Sequence, residues 1–275
     1  MADDGRDGRA RGDAPRGDVL LGGMAWPELP ERPLVLVPVG ATEQHGPHLP
    51  FDTDSVIAAE TAEAVATRLV TSGRSVVVTP ALAFGASGEH QSFAGTVSIG
   101  QEALRAVVIE LVRSLSTWAG RIVLVIGHGG NMSTLVSAVP QLTDEGHDVS
   151  WVPCAPAGAP PEITDAHAGR LETSLMLFLR PGSVRQPLPG AGDTRPMREL
   201  LPLLTASGVG AVSSSGVLGD PTGATAEEGE ELFASMTAEV ERRIVRAQPD
   251  ARGLLGRVGG RARHAGATGA DGPRG

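Results

Sequence analysis

The sequence predicts an α/β protein: a single domain with a mainly parallel central sheet and helices on both faces. Two observations predict it. Short β-branched runs alternate between residues 34 and 152 with longer segments whose apolar residues recur at helical spacing. Polar clusters rich in Gly and His follow directly after the first and third runs, where open α/β sheets gather their ligands. Such alternation covers a sheet on both sides.

Each element has its own warrant. Residues 34–40 read Leu-Val-Leu-Val-Pro-Val-Gly, a buried strand stopped by Gly40. Residues 55–70 carry Val56, Ala59, Ala62, Val65, Ala66 and Leu69 at helical spacing, with Asp54 at the expected N-cap. Residues 75–79 form a second strand. Residues 101–118 form a helix striped by Leu104, Val108, Leu111 and Leu115. A third strand over 121–126, a helix from 133 to 142 and a strand over 149–152 follow. Residues 171–179 form a short helix stopped by Pro181-Gly182. Residues 183–224 read as loop-rich, and 226–247 as a closing amphipathic helix.

The domain is expected to span 20–249. Residues 1–19 and 250–275 are polar and Gly-rich and are expected to be disordered tails. The N-terminus has no apolar stretch of a signal peptide, and no segment reads as a membrane span, so a cytoplasmic protein with no membrane partner is expected.

Composition removes several functions. The formal net charge is −9, and residues 21–248 alone hold 25 acids against 14 Arg. An acidic body is unsuited to nucleic acid, which needs clustered cations. There is no Lys, hence no P-loop lysine, PLP Schiff base or kinase-type lysine. Cys154 is the only cysteine, so a disulfide framework and a cysteine zinc cluster are excluded. It reads as a small buried hydrophobe. His147 and His264 read as surface residues. No G-x-S-x-G, H-E-x-x-H or G-x-G-x-x-G signature is present.

The chemistry falls in three places. After the first strand, Glu43 and His45 are two residues apart in an extended segment, so both side chains point one way. Pro47 and Pro50 fix the loop, and Asp54 follows at a helix start. After the third strand comes Gly127-His128-Gly129-Gly130-Asn131, whose glycines let the backbone pass close to a ligand. The third place is residues 165–174. On one helix His167 and Glu172 would stand ~140° apart. They share a site only if His167 precedes the helix and Glu172 lies in its first turn. His, Glu and Asp without Cys are the donor set of a hydrolytic metal site, and Glu43, His45, Asp54, His128 and Glu172 suffice for two ions. Each has a plainer alternative: Asp54 as a cap, Gly129-Gly130 as a turn, Glu172 as a charge favouring a helix N-terminus. His90, after the second strand, is a candidate for substrate contact or for organising its loop.

The stretches PVGATEQHGPHLPFDTD at 38–54, GHGGN at 127–131, HAGRLETSLMLFLRP at 167–181 and GVLGDPTGAT at 216–225 resemble, in order, the creatininase family of metal-dependent amidohydrolases. Residues 85–100 and 151–154 are most similar to the branch that acts on mycofactocin precursor peptides. The resemblance implies a single α/β domain, two divalent ions per subunit (zinc, iron or manganese), and a homo-oligomer. It implies release of a modified C-terminal Val–Tyr dipeptide from a precursor peptide by metal-activated water. The alternative is a small formamide or lactam as substrate. Glu43, His45, Asp54 and His128 match the family's metal ligands, with Asp54 as the bridge, and His167 matches a catalytic histidine. Gly129, Gly130 and Asn131, with His90, are expected to meet the substrate. One position departs: creatininases place a glutamate ligand two residues after the histidine matching His128, and here Gly130 stands there. Either Glu172 supplies that carboxylate or the second ion is held weakly. The departure also argues against creatinine as substrate.

Overall fold

The computed structural model describes residues 19–158 and 165–258. Four strands form one parallel sheet: β1 (Leu34–Val39), β2 (Val76–Val78), β3 (Arg121–Ile126) and β4 (Val149–Pro153), in the order β2-β1-β3-β4. Their register sets Leu34 beside Val76 on one side and Arg121 on the other, and Val39 beside Ile126. The α-helices among the described residues are α1 (Thr53–Thr71), α2 (Gly100–Leu115), α3 (Met132–Asp144), α4 (Arg170–Leu179), α5 (Met197–Ser207) and α6 (Ala226–Arg246).

Alternation along the strands explains the layering. Val35, Val37 and Val39 of β1 pack with Leu104 and Val108 of α2 and Leu135 of α3. Leu36, pointing the other way, packs with Val65 and Leu69 of α1 and Val240 and Ile244 of α6. Each such side chain contributes about 1.5–3 kcal/mol through burial. The chain leaves β1 toward β2 on one side and later toward β3 on the other. The loops after β1 and β3 therefore part at the carboxyl edge of the sheet and leave a crevice between them.

Three expectations are corrected. Helix α1 begins at Thr53, so Asp54 is its second residue; the cap position belongs to Asp52, whose side chain makes no capping bond. Residues 183–224 contain α5, which starts after Pro196, carries Pro202 inside it and buries only Leu200 and Leu204. Two prolines and so narrow a buried stripe hide it from a periodicity reading. The body also continues past 249. Trp151 donates its backbone N–H to Gly253 O and its indole N–H to Arg252 O, while Leu255 donates to Trp151 O and is fully buried. Of the tails expected over 1–19 and 250–275, residues 1–18 and 259–275 lie outside the described residues, and Val19 is buried and accepts from Val78 N–H. No helix among the described residues is long and apolar enough to cross a membrane.

A chain ending at residue 251 lacks Leu255 and its pairing with Trp151. It is expected to be less stable than one ending at 258 by about 2–3 kcal/mol, from the buried leucine. Urea unfolding midpoints of the two chains measure this, and equal midpoints would remove any stabilising role from the segment.

Candidate active site

The crevice receives side chains from four segments. The loop leaving β1 brings Glu43, Gln44 and His45, all buried. It is anchored by Glu43 N–H donating to Phe51 O and by a bridge between Thr42 and Val97. The first turn of α1 brings Asp54. The loop leaving β3 brings His128, and it can do so because residue 127 is glycine: a Cβ there would stand 2.2 Å from the Asp54 carbonyl oxygen. The chain before α4 brings His167 and then Glu172. As the sequence required, His167 precedes the helix and Glu172 lies in its first turn. Between them Ala168 adopts φ +51°, a costly conformation for a residue with a Cβ, and its N–H donates to Glu172 Oε2.

Asp54 joins the two halves of the cluster. Its Oδ1 is 3.2 Å from His45 Nε2 and its Oδ2 is 3.3 Å from His128 Nδ1. On one side His128 Nε2 lies 3.2 Å from Glu43 Oε2. On the other side His45 Nε2 lies 3.7 Å from Glu172 Oε2. Glu43, Asp54 and His128 thus form one set of converging donors, and His45, Asp54 and Glu172 a second, with Asp54 in both. Glu172 stands on the His45 side. A third combination, Glu43, His45 and His167, also converges. Both oxygens of Glu43 and Oδ2 of Asp54 are buried without a hydrogen-bond partner. Unpartnered carboxylate oxygens in a dry interior are strongly unfavourable unless a cation meets them. The donor set therefore fits a divalent metal.

The electrostatics agree. Burial disfavours a charged His45, but the carboxylates of Asp54, Glu172 and Glu43 together outweigh it and push the imidazole up to about 10. His128 is also raised despite its burial, by Glu43 and Asp54. Burial acts to raise Asp54, yet the two imidazoles hold it far below the usual carboxylate range. Burial pushes Glu172 up to about 7. Burial and neighbouring positive charge hold His167 well below its ordinary value, so it is neutral.

Hydrogen bonds fix the tautomers of the next layer. His167 Nε2 donates to Gln44 O at 2.8 Å, leaving Nδ1 bare and 3.7 Å from Glu43 Oε1. Gln44 donates one amide hydrogen to His90 Nδ1 at 2.8 Å and the other to Gly216 O at 3.2 Å. His90 then presents its Nε2–H toward Glu43 Oε1, 3.3 Å away. His90 lines the crevice and also organises its floor. Gln44 escaped the sequence reading because an extended segment turns it away from Glu43 and His45, and only the full bonding pattern reveals it. His48 escaped too: it is buried and bonded through Nε2 to Thr173 Oγ1 at 2.8 Å, tying this loop to α4.

Of the three residues expected to meet the substrate after β3, Gly129 and Gly130 line the crevice and Asn131 does not. It is fully buried, accepting from Ala86 N–H and donating to Gly40 O, both at 2.9 Å. It ties together the loops that follow β1, β2 and β3. The crevice itself has a volume of about 800 Å³, and Met197, Leu201 and Leu204 of α5 form its apolar wall.

The profile of the creatininase family, described as creatinine amidohydrolase, matches residues 23–244. The chain belongs to the creatininase family. It is 52% identical over 224 residues to the mycofactocin precursor peptide peptidase of Mycolicibacterium smegmatis, covering 81% of this chain and 89% of that protein. It is 47% identical over 241 residues to the protein of that name from Mycobacterium tuberculosis, covering 86% and 94%. Among solved structures, a creatinine amidohydrolase (creatininase) superposes with a TM-score of 0.68 at 26% identity, over 82% of this chain and 96% of that one. A structure described as "Creatininase Mn" gives 0.66 at 26%, over 82% and 97%. This creatininase-family chain is accordingly a hydrolase acting on amide bonds.

Burial, with His45 nearby, lowers His48 to about 4. Its folded value lies below the unfolded value, so its contribution is complete above about pH 6.5 and is lost as pH falls through 4. His48→Gln, which can still bond Thr173 and does not titrate, is expected to lose less stability than the parent between pH 7 and pH 4. Urea unfolding at the two pH values reads the difference; parallel losses would show that His48 does not titrate with folding.

Proposed function

We propose that this chain is a metal-dependent peptidase that releases the modified C-terminal Val–Tyr dipeptide from a mycofactocin precursor peptide. The observation that carries the reading is the pair of donor clusters sharing Asp54, set in a crevice of about 800 Å³ with an apolar wall. That volume is in the range that encloses ligands well beyond a single small ring. Relatives at 47–52% identity that are named for the peptide support the choice of substrate.

Glu43, Asp54 and His128 would hold one ion, and His45, Asp54 and Glu172 the other, with zinc, iron or manganese as the metal. Bound there, the ions would supply a nucleophilic water at neutral pH and polarise the scissile carbonyl. His167 does the proton work. Its Nε2–H is committed to Gln44 O, and its neutral Nδ1 faces the cluster, able to take a proton and deliver it to the leaving nitrogen. His90, held by Gln44, orients Glu43. The wall of α5 receives apolar side chains of the peptide. Assembly as a homo-oligomer in the cytoplasm is part of the same proposal, its first half open to light scattering.

Asp54→Ala is expected to lower bound metal at both positions and abolish cleavage, read by elemental analysis and mass-spectrometric detection of the dipeptide. Two retained ions would remove the shared role. His167→Ala is expected to keep its metal and lose roughly 10²–10⁴ in rate; loss of metal would make it a ligand. Comparing the modified precursor peptide with N-formyl compounds and lactams tests the substrate, and turnover confined to the small compounds would overturn the peptidase reading.

A further inference from the structure

Each half of the cluster joins one imidazole and Asp54 to one further carboxylate, Glu43 beside His128 and Glu172 beside His45. On the His45 side, Glu172 adds a second carboxylate to Asp54. On the His128 side the β3 loop supplies no acid, because its next residues are Gly129, Gly130 and Asn131. Position 130 has no room for a side chain. A Cβ there would stand 2.4 Å from His128 Nε2, 2.6 Å from Ala86 O and 2.7 Å from Glu89 Oε1. The space beside His128 is therefore taken by a carboxylate from another loop.

Glu89 sits on the one-turn helix Gly88–His90 that follows β2. Its Oε1 lies 3.6 Å from His128 Nε2, and this is its only ion pair among the described residues. It is half-buried and lines the crevice with His128 and Gly130. Two ties hold it there. Asn131 clamps Ala86, three residues earlier, and Gln44 bonds His90, one residue later. The buried, unpartnered oxygens of Glu43 and Oδ2 of Asp54 belong to the set that converges with His128, and Glu89 borders that set at His128 Nε2.

We infer that Glu89 is a carboxylate ligand of the ion on the His128 side, reaching it across the gap that Gly130 leaves open. The assignment rests on the metal reading above. It adds a carboxylate to Glu43 and the shared Asp54 on the His128 side, where the other ion has Glu172 and Asp54. It also assigns a purpose to the Gly130–Asn131 pair, in which the glycine makes room for the second-strand loop and the asparagine fixes it.

The test is a titration of the full chain with Co²⁺, followed by visible absorption and by metal content after dialysis. The parent is expected to bind two ions. Glu89→Gln, nearly isosteric and on a solvent-reached loop, is expected to weaken one ion at least about tenfold, to lower the absorption of that ion, and to leave the other unchanged. Glu172→Gln is expected to weaken the opposite ion, and the double variant both. Unchanged affinities in Glu89→Gln, with its melting temperature matching the parent's, would overturn the assignment while leaving the metal reading intact. A parent that binds no Co²⁺ would overturn both. Should Glu89→Gln fold poorly, Glu89→Asp keeps the charge but withdraws the oxygens, and undiminished binding by it would equally count against direct ligation.

Discussion

The carboxylate of Asp54 is nearly sealed from solvent and stands between two imidazoles, and the rest of the site depends on keeping it there. An ionised carboxylate in a dry interior is tolerable only beside positive charge. His45 and His128 provide part of that, and each must arrive from a different strand end. This requires α1 to start directly behind β1 and β3 to run next to β1. The order β2-β1-β3-β4 meets both conditions. Close approach of the β3 loop to the first turn of α1 then demands a residue without Cβ at Gly127. Fold and site are thus linked through one packing constraint at the carboxyl edge of the sheet.

Much of this was legible in the sequence. Strand β3 is bounded as its β-branched run indicates, and β1 differs from its run only by the terminal Gly40. Glu43, His45, Asp54, His128, His167 and Glu172 all converge, because residues following strand ends are brought to one edge by parallel topology. What escaped has physical causes. Helix α5 is interrupted by Pro202 and buries a narrow stripe. Residues 249–258 are polar and glycine-containing, yet they are held by buried Leu255, by the backbone and indole of Trp151, and by Arg242 donating to Val258 O. Asn131 sits in a glycine turn that suggests substrate contact, whereas its amide is spent on two backbone groups from other loops. Gln44 and Glu89 act through neighbours distant in sequence, which no local pattern encodes.

The imidazoles divide by the partner each ring nitrogen has. His45 and His128 face carboxylates and are driven toward the charged form. His90 and His167 are bonded to the amide side chain or carbonyl of Gln44, and burial keeps both neutral. The rings of His45 and His167 are only 4.2 Å apart between centroids, and those of His90 and His167 4.4 Å. At such separations charge on one ring suppresses charge on the next. The neutral, proton-accepting His167 therefore stands directly beside the ring that Asp54 engages. That division arises from Asp54 on one side and Gln44 on the other, not from any difference in the residues themselves.

The loops after β1, β2 and β3 each contribute to the crevice, but β2 is the shortest strand, with three residues, and sits at the sheet's edge. Its loop would be the least constrained of the three were it not fastened to the other two. Asn131 fastens its start, Gln44 holds His90, and Ser98 Oγ accepts from Ser87 N–H. Helix α5 then closes over this loop, with Gly208 at its end passing close to the Glu89 carbonyl. The apolar wall of the crevice and its acidic floor are consequently joined through residues 85–91. A change in that loop would alter the shape offered to a substrate and the charge offered to an ion together, which is how a shared sheet edge can serve different amides without rebuilding the strands beneath it.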